Sequence, residues 1–157
     1  MSRTLVLVRH GDALGREPGQ TDAQRSLSEA GMRSLEEAFP RAFGLLSPTA
    51  SSELWVSPAL RARQTAKIAN ETLGIETTYD LKCLYDQDHG EFLDTYAGLG
   101  TELVVAVGHI PFMEDMAARL CGANLVFAPG AVCAIDMGDA GTRGRLLWFV
   151  QGPTLGH

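Results

Sequence analysis

Residues 4–11 read TLVLVRHG, and this stretch combines an uninterrupted apolar run with an abrupt polar end. The run Thr4–Val8 is rich in β-branched residues and shows no polar alternation, which is typical of a strand buried on both faces of a sheet. It ends on Arg9, His10 and Gly11. Because polar residues and glycine end many strands for purely structural reasons, the rest of the chain must decide whether this ending carries chemistry.

Two later apolar segments end in a similar way. Glu53–Ser57 precedes a predicted helix with Arg61 in its first turn, and Leu103–Val107 precedes Gly108 and His109. Ligands of open α/β sheets bind beyond the carboxyl ends of the parallel strands. A lone histidine or arginine usually has a structural role, but several of them at strand ends favour a shared pocket. The residues that we expect to converge are Arg9, His10, Arg61 and His109.

A polar loop and a helix follow the first strand. The loop is rich in glycine, proline and aspartate, which excludes regular structure over most of it. Ser28 is a suitable N-cap for the helix, and Leu35 and Phe39 recur at helical spacing. We expect Pro40 to end or kink this helix.

The pair Ser57-Pro58 predicts the start of another helix, with a capping hydroxyl followed by proline at the first helical position. This helix is expected to cover Ala59–Leu73 and to end at Gly74, because glycine tolerates the left-handed conformation that ends many helices. The segment after it, Ile75–Leu84, is ambiguous and fits a short strand that enters a loop.

Predicted helices and strands follow one another in the last third of the chain as well. Gly90–Leu99 is compatible with a short helix, and Ile110–Leu120 is a predicted helix with a proline early in it. Ala131–Met137 and Arg145–Val150 are predicted strands, joined as a hairpin by a turn rich in glycine and aspartate. The tail, 152–157, has no periodicity and is expected to be loose.

This order of elements predicts an α/β fold. We expect a three-layer α/β/α sandwich with a mostly parallel central sheet and a C-terminal antiparallel hairpin. The chain has no internal repeat or linker, so residues 1–157 are expected to form a single domain.

Composition limits the classes of partner. The chain has 157 residues and a net charge of −6, which opposes unspecific attachment to nucleic acid or to an anionic membrane.

Cys83, Cys121 and Cys133 form no CxxC pair, which argues against a disulfide framework or a zinc site and favours a reducing compartment. The N-terminal apolar stretch is too short for a signal peptide or a membrane span. We therefore expect a cytoplasmic monomer with no nucleic-acid partner, no membrane partner, no metal and no cofactor.

Two guanidinium groups and two imidazoles suit chemistry at a phosphoryl group. Arginine donates paired hydrogen bonds to phosphoryl oxygens, and the first turn of a helix, where Arg61 is predicted, favours an anion. One neutral histidine can attack phosphorus. A second can donate a hydrogen bond or a proton to the oxygens on which charge accumulates. Gly11 would let the backbone approach a ligand closely.

These motifs resemble those of the histidine phosphatase superfamily, also called the phosphoglycerate mutase-like fold. The matching segments are Leu7–Gly11, Ser57–Ala66 and Val107–His109. An isolated Arg-His-Gly is a weak signal, but three motifs in the same order are a strong one. The resemblance extends from Thr4 to about Val150, nearly the whole chain.

The resemblance implies catalytic roles for the four residues at the strand ends. His10 would be the nucleophile, Arg9 and Arg61 would bind the phosphoryl group, and His109 would complete the pocket. Further substrate-binding roles are expected for Gly11, Arg25 and Ser57. Arg25 can take this role only if the polar loop folds back over the site.

Among the branches of this superfamily, the chain is most similar to the SixA-type phosphohistidine phosphatases. It is short, and Gly-Asp-Ala follows the Arg-His pair. Arg25–Gly31 resembles the R-x-L-T-x-x-G segment of that branch, and Gly108–Phe112 resembles its G-H-x-P segment. The resemblance implies a phosphohistidine-bearing protein, such as a phosphotransfer or carrier domain, as the substrate, hydrolysed through a covalent phospho-His10 intermediate.

One departure leaves alternatives open. The larger branches place a general acid in an insertion that this chain lacks, and Asp86, Asp88 and Glu91 lie in the corresponding stretch without a pattern that selects one. A phosphohistidine substrate has a labile P–N bond and a tolerable imidazole leaving group, so it needs an acid less than an ester does. The alternatives are a phosphomonoesterase or mutase for a small phosphorylated metabolite, which needs such an acid, and a non-catalytic phosphate-binding module.

Overall fold

The computed structural model describes residues 2–139 and 143–155, in which six strands form one mixed sheet. The order across the sheet is β3-β2-β4-β1-β5-β6. Strands β3, β2, β4 and β1 are mutually parallel, and β5 is antiparallel to both β1 and β6. The strands are β1 (Arg3–Arg9), β2 (Glu53–Val56), β3 (Thr77–Asp80), β4 (Leu103–Gly108), β5 (Val132–Gly138) and β6 (Arg145–Val150). The predicted mostly parallel sheet with a C-terminal antiparallel hairpin is confirmed.

Helices cover both faces of this sheet. They are α1 (Glu29–Ala42), α2 (Leu60–Leu73), α3 (Lys82–Asp86), α4 (His89–Ala97) and α5 (Phe112–Cys121), with a 3₁₀ helix at Asp22–Gln24. None of the helices in the described ranges is both long enough and apolar enough to cross a membrane.

Strand β1 shows how the sequence builds the two layers of core. Its side chains alternate between faces, so Val6 and Val8 pack in the cluster formed with α1 and α2. Leu5 and Leu7 pack in the opposite cluster, which includes side chains of α3, α4 and α5. All four side chains are fully buried, as expected for an uninterrupted apolar run in a central strand. The α/β/α sandwich predicted from this pattern is confirmed.

Helix α1 continues for two residues beyond Pro40, so the proline does not end it. Ser28 caps its start, as predicted, by accepting a hydrogen bond from the backbone N–H of Gly31. At the other end the backbone N–H of Phe43 donates to the carbonyl of Phe39 at 2.9 Å and closes the turn that contains the proline. Because Pro40 lies in the last turn, its missing N–H removes one hydrogen bond while Phe39 and Phe43 remain buried.

Helix α2 begins later than the sequence predicts. It starts at Leu60 with Ala59 as the N-cap residue, which makes no side-chain capping bond. The prediction that Ser57 caps this helix and that Pro58 is its first residue is therefore wrong. The physical reason is that the Ser57 hydroxyl lies 2.7 Å from His109 Nε2, across the edge of the sheet. The predicted end is confirmed, since Gly74 adopts the left-handed conformation with φ of 64°.

The ambiguous segment forms two elements. Thr77–Asp80 pairs in parallel with β2 as the edge strand β3, and the five-residue helix α3 follows it. That helix is too short to show periodicity in the sequence. Two stretches lie outside the described residues: 140–142, inside the predicted hairpin turn, and 156–157, at the end of the predicted loose tail. Residues 152–155 have no regular secondary structure.

Candidate active site

The two histidines follow neighbouring parallel strands and meet at the carboxyl edge of the sheet. Arg9 is paired with Gly108 in the register of β1 and β4, so His10 and His109 occupy equivalent positions just beyond it. The backbone N–H of His10 donates to the carbonyl of Gly108 at 2.9 Å. The two imidazole rings are 5.2 Å apart between centroids, and both residues are buried.

The ring of His10 is held in one tautomer by a backbone carbonyl. Its Nδ1 lies 2.7 Å from the carbonyl oxygen of Gly11. A carbonyl oxygen accepts only, so Nδ1 carries the proton and donates it. In the neutral ring Nε2 then has the lone pair, which is the arrangement that a nitrogen nucleophile requires.

His109 is held from the neighbouring strand β2. The hydroxyl oxygen of Ser57 lies 2.7 Å from His109 Nε2, and both residues are buried. The Nδ1 atom of His109 is buried without a hydrogen-bond partner among the described residues. The ring of Tyr85 packs edge-on against the His109 ring, with 5.6 Å between centroids.

Arg9 is oriented by a chain of contacts from helix α5. Its Nη1 donates to the carbonyl of Phe127 at 2.8 Å, and the N–H of Phe127 donates to Glu114 Oε2 at 2.9 Å. The Glu114 carboxylate thus fixes the segment that holds the guanidinium. The Nε atom of Arg9 is buried and has no partner within the described part of the chain.

Arg61 is held by two hydrogen bonds to the polar loop. Its Nη1 donates to the backbone carbonyl of Asp22 at 2.9 Å, and its Nη2 donates to Asp22 Oδ2 at 3.0 Å. Only 6 % of Arg61 is exposed, and its buried Nε has no partner in residues 2–139 or 143–155. Asp22 therefore fixes the plane of the guanidinium and leaves the Nε–H uncommitted.

Three buried nitrogens at this edge thus share one property, since each lacks a hydrogen-bond partner among the residues described. They are Arg9 Nε, Arg61 Nε and His109 Nδ1. A buried N–H without a partner is costly, and folded proteins satisfy nearly all of them. A tetrahedral oxyanion offers several acceptor oxygens to such groups, and arginine is well suited to bind it. The site can therefore accept a phosphoryl group.

Both imidazoles stay neutral at ordinary pH. Burial lowers the pKa of His10 from 6.5 to about 4; the bond to Gly11 opposes this shift, and the nearby Arg61 guanidinium adds to it. Burial also lowers the pKa of His109 to about 3, with a further contribution from His10. A neutral His10 keeps the lone pair that a nucleophile needs.

These shifts predict a pH dependence of stability. The unfolded chain binds protons at both histidines below pH 6.5 while the folded chain does not, so stability is greatest above pH 6.5 and falls as the pH drops towards 4. Between pH 7 and pH 5 each histidine should reduce the free energy of unfolding by about 2 kcal/mol. Urea unfolding at both pH values should therefore show a smaller drop for His10→Gln than for the parent chain. Equal drops would contradict the assignment of a buried neutral imidazole.

Asp22 and Tyr85 belong to the site, although the sequence does not reveal them. Burial alone would raise the pKa of Asp22, but hydrogen bonds from Tyr85, Arg25 and Arg61 outweigh it and lower the pKa to about 2. The Tyr85 hydroxyl donates to Asp22 Oδ2 at 2.9 Å. Asp22 is therefore a permanent anion that cannot act as a general acid near neutral pH. In the sequence Asp22 lies in the polar loop and Tyr85 directly follows the ambiguous segment, and neither position carries a further signal.

Arg25 does come to the rim of the site, because the polar loop folds back as required. Its Nη1 lies 3.2 Å from Asp22 Oδ1, and its Nε donates to the carbonyl of Leu14 at 2.9 Å. Its positive charge contributes to the lowered pKa of His10. The structure thus places Arg25 beside the site and engages it with Asp22.

Gly11 has a packing reason to be glycine. A Cβ atom at this position would lie 2.6 Å from Cδ1 of the buried Leu35, so a larger residue would force that side chain of α1 to shift. Its backbone N–H donates to Thr65 Oγ1 at 3.1 Å. The backbone of Gly11 is therefore committed to Thr65 and, through its carbonyl, to His10.

Of the three carboxylates considered as general acids, two are engaged elsewhere and the third is exposed. Asp86 lies 3.7 Å from Lys82 on α3, and Asp88 caps α4 by accepting the N–H of Glu91. Glu91 lies in the first turn of α4 and is exposed. From this stretch the residue that reaches the site is Tyr85. In residues 2–139 and 143–155, no group of three or more His, Cys, Asp and Glu residues is arranged to hold a metal ion.

Comparisons with known proteins agree with the resemblance read from the sequence. The family model described as histidine phosphatase superfamily (branch 1) matches residues 5–103. None of the curated proteins compared with the chain matches it in sequence.

Solved structures match over nearly the full length. The protein histidine phosphatase SixA complexed with tungstate has a TM-score of 0.78 at 21% identity, covering 95% of this chain and 97% of that one. A SixA structure from Agrobacterium tumefaciens has a TM-score of 0.77 at 25% identity and covers 94% of this chain and 97% of its own. A mycobacterial glucosyl-3-phosphoglycerate phosphatase has a TM-score of 0.64 at 17% identity, with 98% and 100% covered.

Proposed function

The chain belongs to the histidine phosphatase superfamily, branch 1, and we propose that it hydrolyses phosphohistidine in a protein through a covalent phospho-His10 intermediate, without a metal ion. The SixA likeness supports this branch of the family. The observation that carries the proposal is the set of three buried nitrogens that have no partner in the described part of the chain, beside a histidine whose Nε2 holds a lone pair.

In the first step the lone pair on His10 Nε2 attacks the phosphorus atom of the substrate. The bond from phosphorus to the substrate imidazole breaks, and the departing ring takes a proton from solvent. Arg9 and Arg61 neutralise the charge on the phosphoryl oxygens, and His109 donates a hydrogen bond to one of them. Both arginines are held by backbone carbonyls, so they need little reorganisation as charge develops.

In the second step water attacks the phosphorus of phospho-His10. The P–N bond to Nε2 breaks, inorganic phosphate leaves, and His10 regains its lone pair. The proton lost by the attacking water balances the one taken up by the first leaving group. The sum is phosphohistidine plus water giving histidine plus phosphate.

The choice of phosphohistidine over an ester rests on the carboxyl groups near the site. An ester releases an alkoxide, which needs a general acid. The carboxylate in contact with the site, Asp22, has a pKa of about 2 and is bound by three donors. An imidazole leaving group with a ring pKa near neutrality departs without such an acid. The free thiols Cys83, Cys121 and Cys133 support action in a reducing, cytoplasmic compartment.

A substrate panel tests this proposal. Purified protein in EDTA should release phosphate from a phosphohistidine-bearing carrier protein much faster than from p-nitrophenyl phosphate or a phosphorylated sugar. Replacing Asp86, Asp88 and Glu91 together by the amides should leave that rate within about twofold, because these exposed side chains make no described contact with the site and an asparagine in place of Asp88 can still cap α4.

The other functions predict different results. A phosphomonoesterase or mutase would prefer the small ester and would lose activity in the triple amide variant. A non-catalytic phosphate-binding module would release no phosphate from any substrate. Activity that disappears in EDTA and returns with added metal would contradict the metal-independent reaction.

A further inference from the structure

We infer that Ser57 fixes His109 in the tautomer that carries its proton on Nδ1, so that the two imidazoles of the site have opposite proton arrangements. His10 then presents a lone pair while His109 presents an N–H. This assigns Ser57 as a positioning residue that acts through His109, and its catalytic consequence rests on the proposed function.

The hydrogen bonds of the Ser57 hydroxyl determine the assignment. The oxygen accepts the backbone N–H of Ala59 at 3.3 Å and lies 2.7 Å from His109 Nε2. Within the described ranges no other acceptor contacts this hydroxyl, and Ser57 is fully buried. The hydroxyl proton therefore has Nε2 as its acceptor. If Nε2 carried a proton, two donors would face one oxygen, and the hydroxyl proton would be buried without an acceptor.

The free nitrogen of His109 leads to the same conclusion. A neutral imidazole has one proton, and the nitrogen that does not accept a hydrogen bond must hold it. In His109 that nitrogen is Nδ1, one of the three buried nitrogens at this edge of the sheet that lack a partner among the described residues. An Nδ1–H fits beside the N–H groups of Arg9 and Arg61 as a donor to the same anion.

His10 shows the opposite arrangement for an equally local reason. Its Nδ1 donates to the carbonyl of Gly11, and Nε2 is left with the lone pair. The two rings lie 5.2 Å apart and are both buried, so neither exchanges its tautomer freely with solvent. The carbonyl of Gly11 and the hydroxyl of Ser57 thus give the two imidazoles different roles, His10 as a nucleophile and His109 as a hydrogen-bond donor.

The sequence suggested a direct substrate contact for Ser57. The buried hydroxyl and its bond to His109 favour an indirect role instead. Loss of this hydroxyl should let the His109 ring change tautomer or turn, which weakens the donor to the phosphoryl group. Partners that orient metal-bound imidazoles typically contribute about 10-fold to 100-fold, and we expect an effect of the same order at His109.

Nitrogen NMR of the imidazole rings tests the inference. In protein labelled with ¹⁵N-histidine at pH 7, His109 should show a protonated Nδ1 and an unprotonated Nε2, and Ser57→Ala should shift this pattern. Ser57→Ala should also weaken tungstate binding about 10-fold and lower kcat by about 10-fold to 100-fold. The matched control is Ser52→Ala, which removes a buried hydroxyl from the opposite end of β2, where it accepts the N–H of Thr49. The control should change none of these readouts.

A protonated Nε2 in the parent protein would overturn the inference without the need for any variant. A changed tautomer in Ser57→Ala with unchanged tungstate binding and kcat would overturn the role given to Ser57. If the proposed function is wrong, the experiment gives a different set of results. In that case the parent protein shows the expected tautomer and binds tungstate but releases no phosphate from any substrate.

Discussion

Replacement of His10 by alanine should reduce phosphate release from a phosphohistidine protein by on the order of 10⁴–10⁶-fold, the range found when a covalent nucleophile is removed. The reason is that the other imidazole nitrogens of the two histidines are not available as nucleophiles. The Nδ1 of His10 points at a carbonyl, and the Nε2 of His109 is occupied by Ser57. Single-turnover assays with excess enzyme would measure the loss at the chemical step.

Two controls make this result specific. The His10→Ala protein should still bind tungstate, because Arg9, Arg61 and His109 remain, and its circular dichroism should match the parent. His89→Ala provides the matched histidine control. His89 stacks on Phe112 with 4.7 Å between ring centroids and has no contact with the phosphoryl-binding groups, so its loss should leave turnover within about twofold. Turnover by His10→Ala near the parent rate would contradict nucleophilic catalysis.

Replacement of Arg61 by alanine should lower kcat by on the order of 10²–10³-fold, which is typical for the loss of one transition-state donor. The residue is almost fully buried and is fixed by two hydrogen bonds to Asp22, so its loss removes a preorganised charge. Arg61→Lys keeps the charge but not the planar fork that Asp22 grips. It should recover only part of the activity.

Arg63 is a suitable control for this series, because it lies two positions along the same helix and points elsewhere. Its guanidinium lies 3.2 Å from Asp80, and 53% of its side chain is exposed. Arg63→Ala should therefore keep turnover within about twofold, as for most exposed ion pairs. Equal losses in Arg61→Ala and Arg63→Ala would show that general loss of positive charge, and not the fixed donor, matters.

The strand ends could be predicted from the sequence because their signals are local. The apolar run before Arg9 and the one before Gly108 each identify a buried strand, and parallel strands bring their carboxyl ends to one edge. The structure brings His10 and His109 together there by register alone. Two short apolar runs and the polar residues that follow them are therefore enough to predict this part of the site.

The contacts that orient the site could not be predicted, because they join residues distant in sequence. Asp22 reaches Arg61 from a loop with no periodicity, and Tyr85 reaches Asp22 from a short helix after an ambiguous segment. Local preference predicts that Ser57 caps a helix. The long-range bond to His109 takes precedence over that local preference.

The central claim is that His10 Nε2 becomes covalently bonded to phosphorus. The enzyme is mixed with a ³²P-labelled phosphohistidine protein, and the reaction is quenched rapidly without acid. Peptide mapping and ³¹P NMR then measure directly which atom carries the phosphorus. We expect label on the peptide that contains His10, attached at Nε2, formed and lost at rates that match turnover. Phosphate released in the first turnover with no label on the chain, or label found on His109, would contradict it.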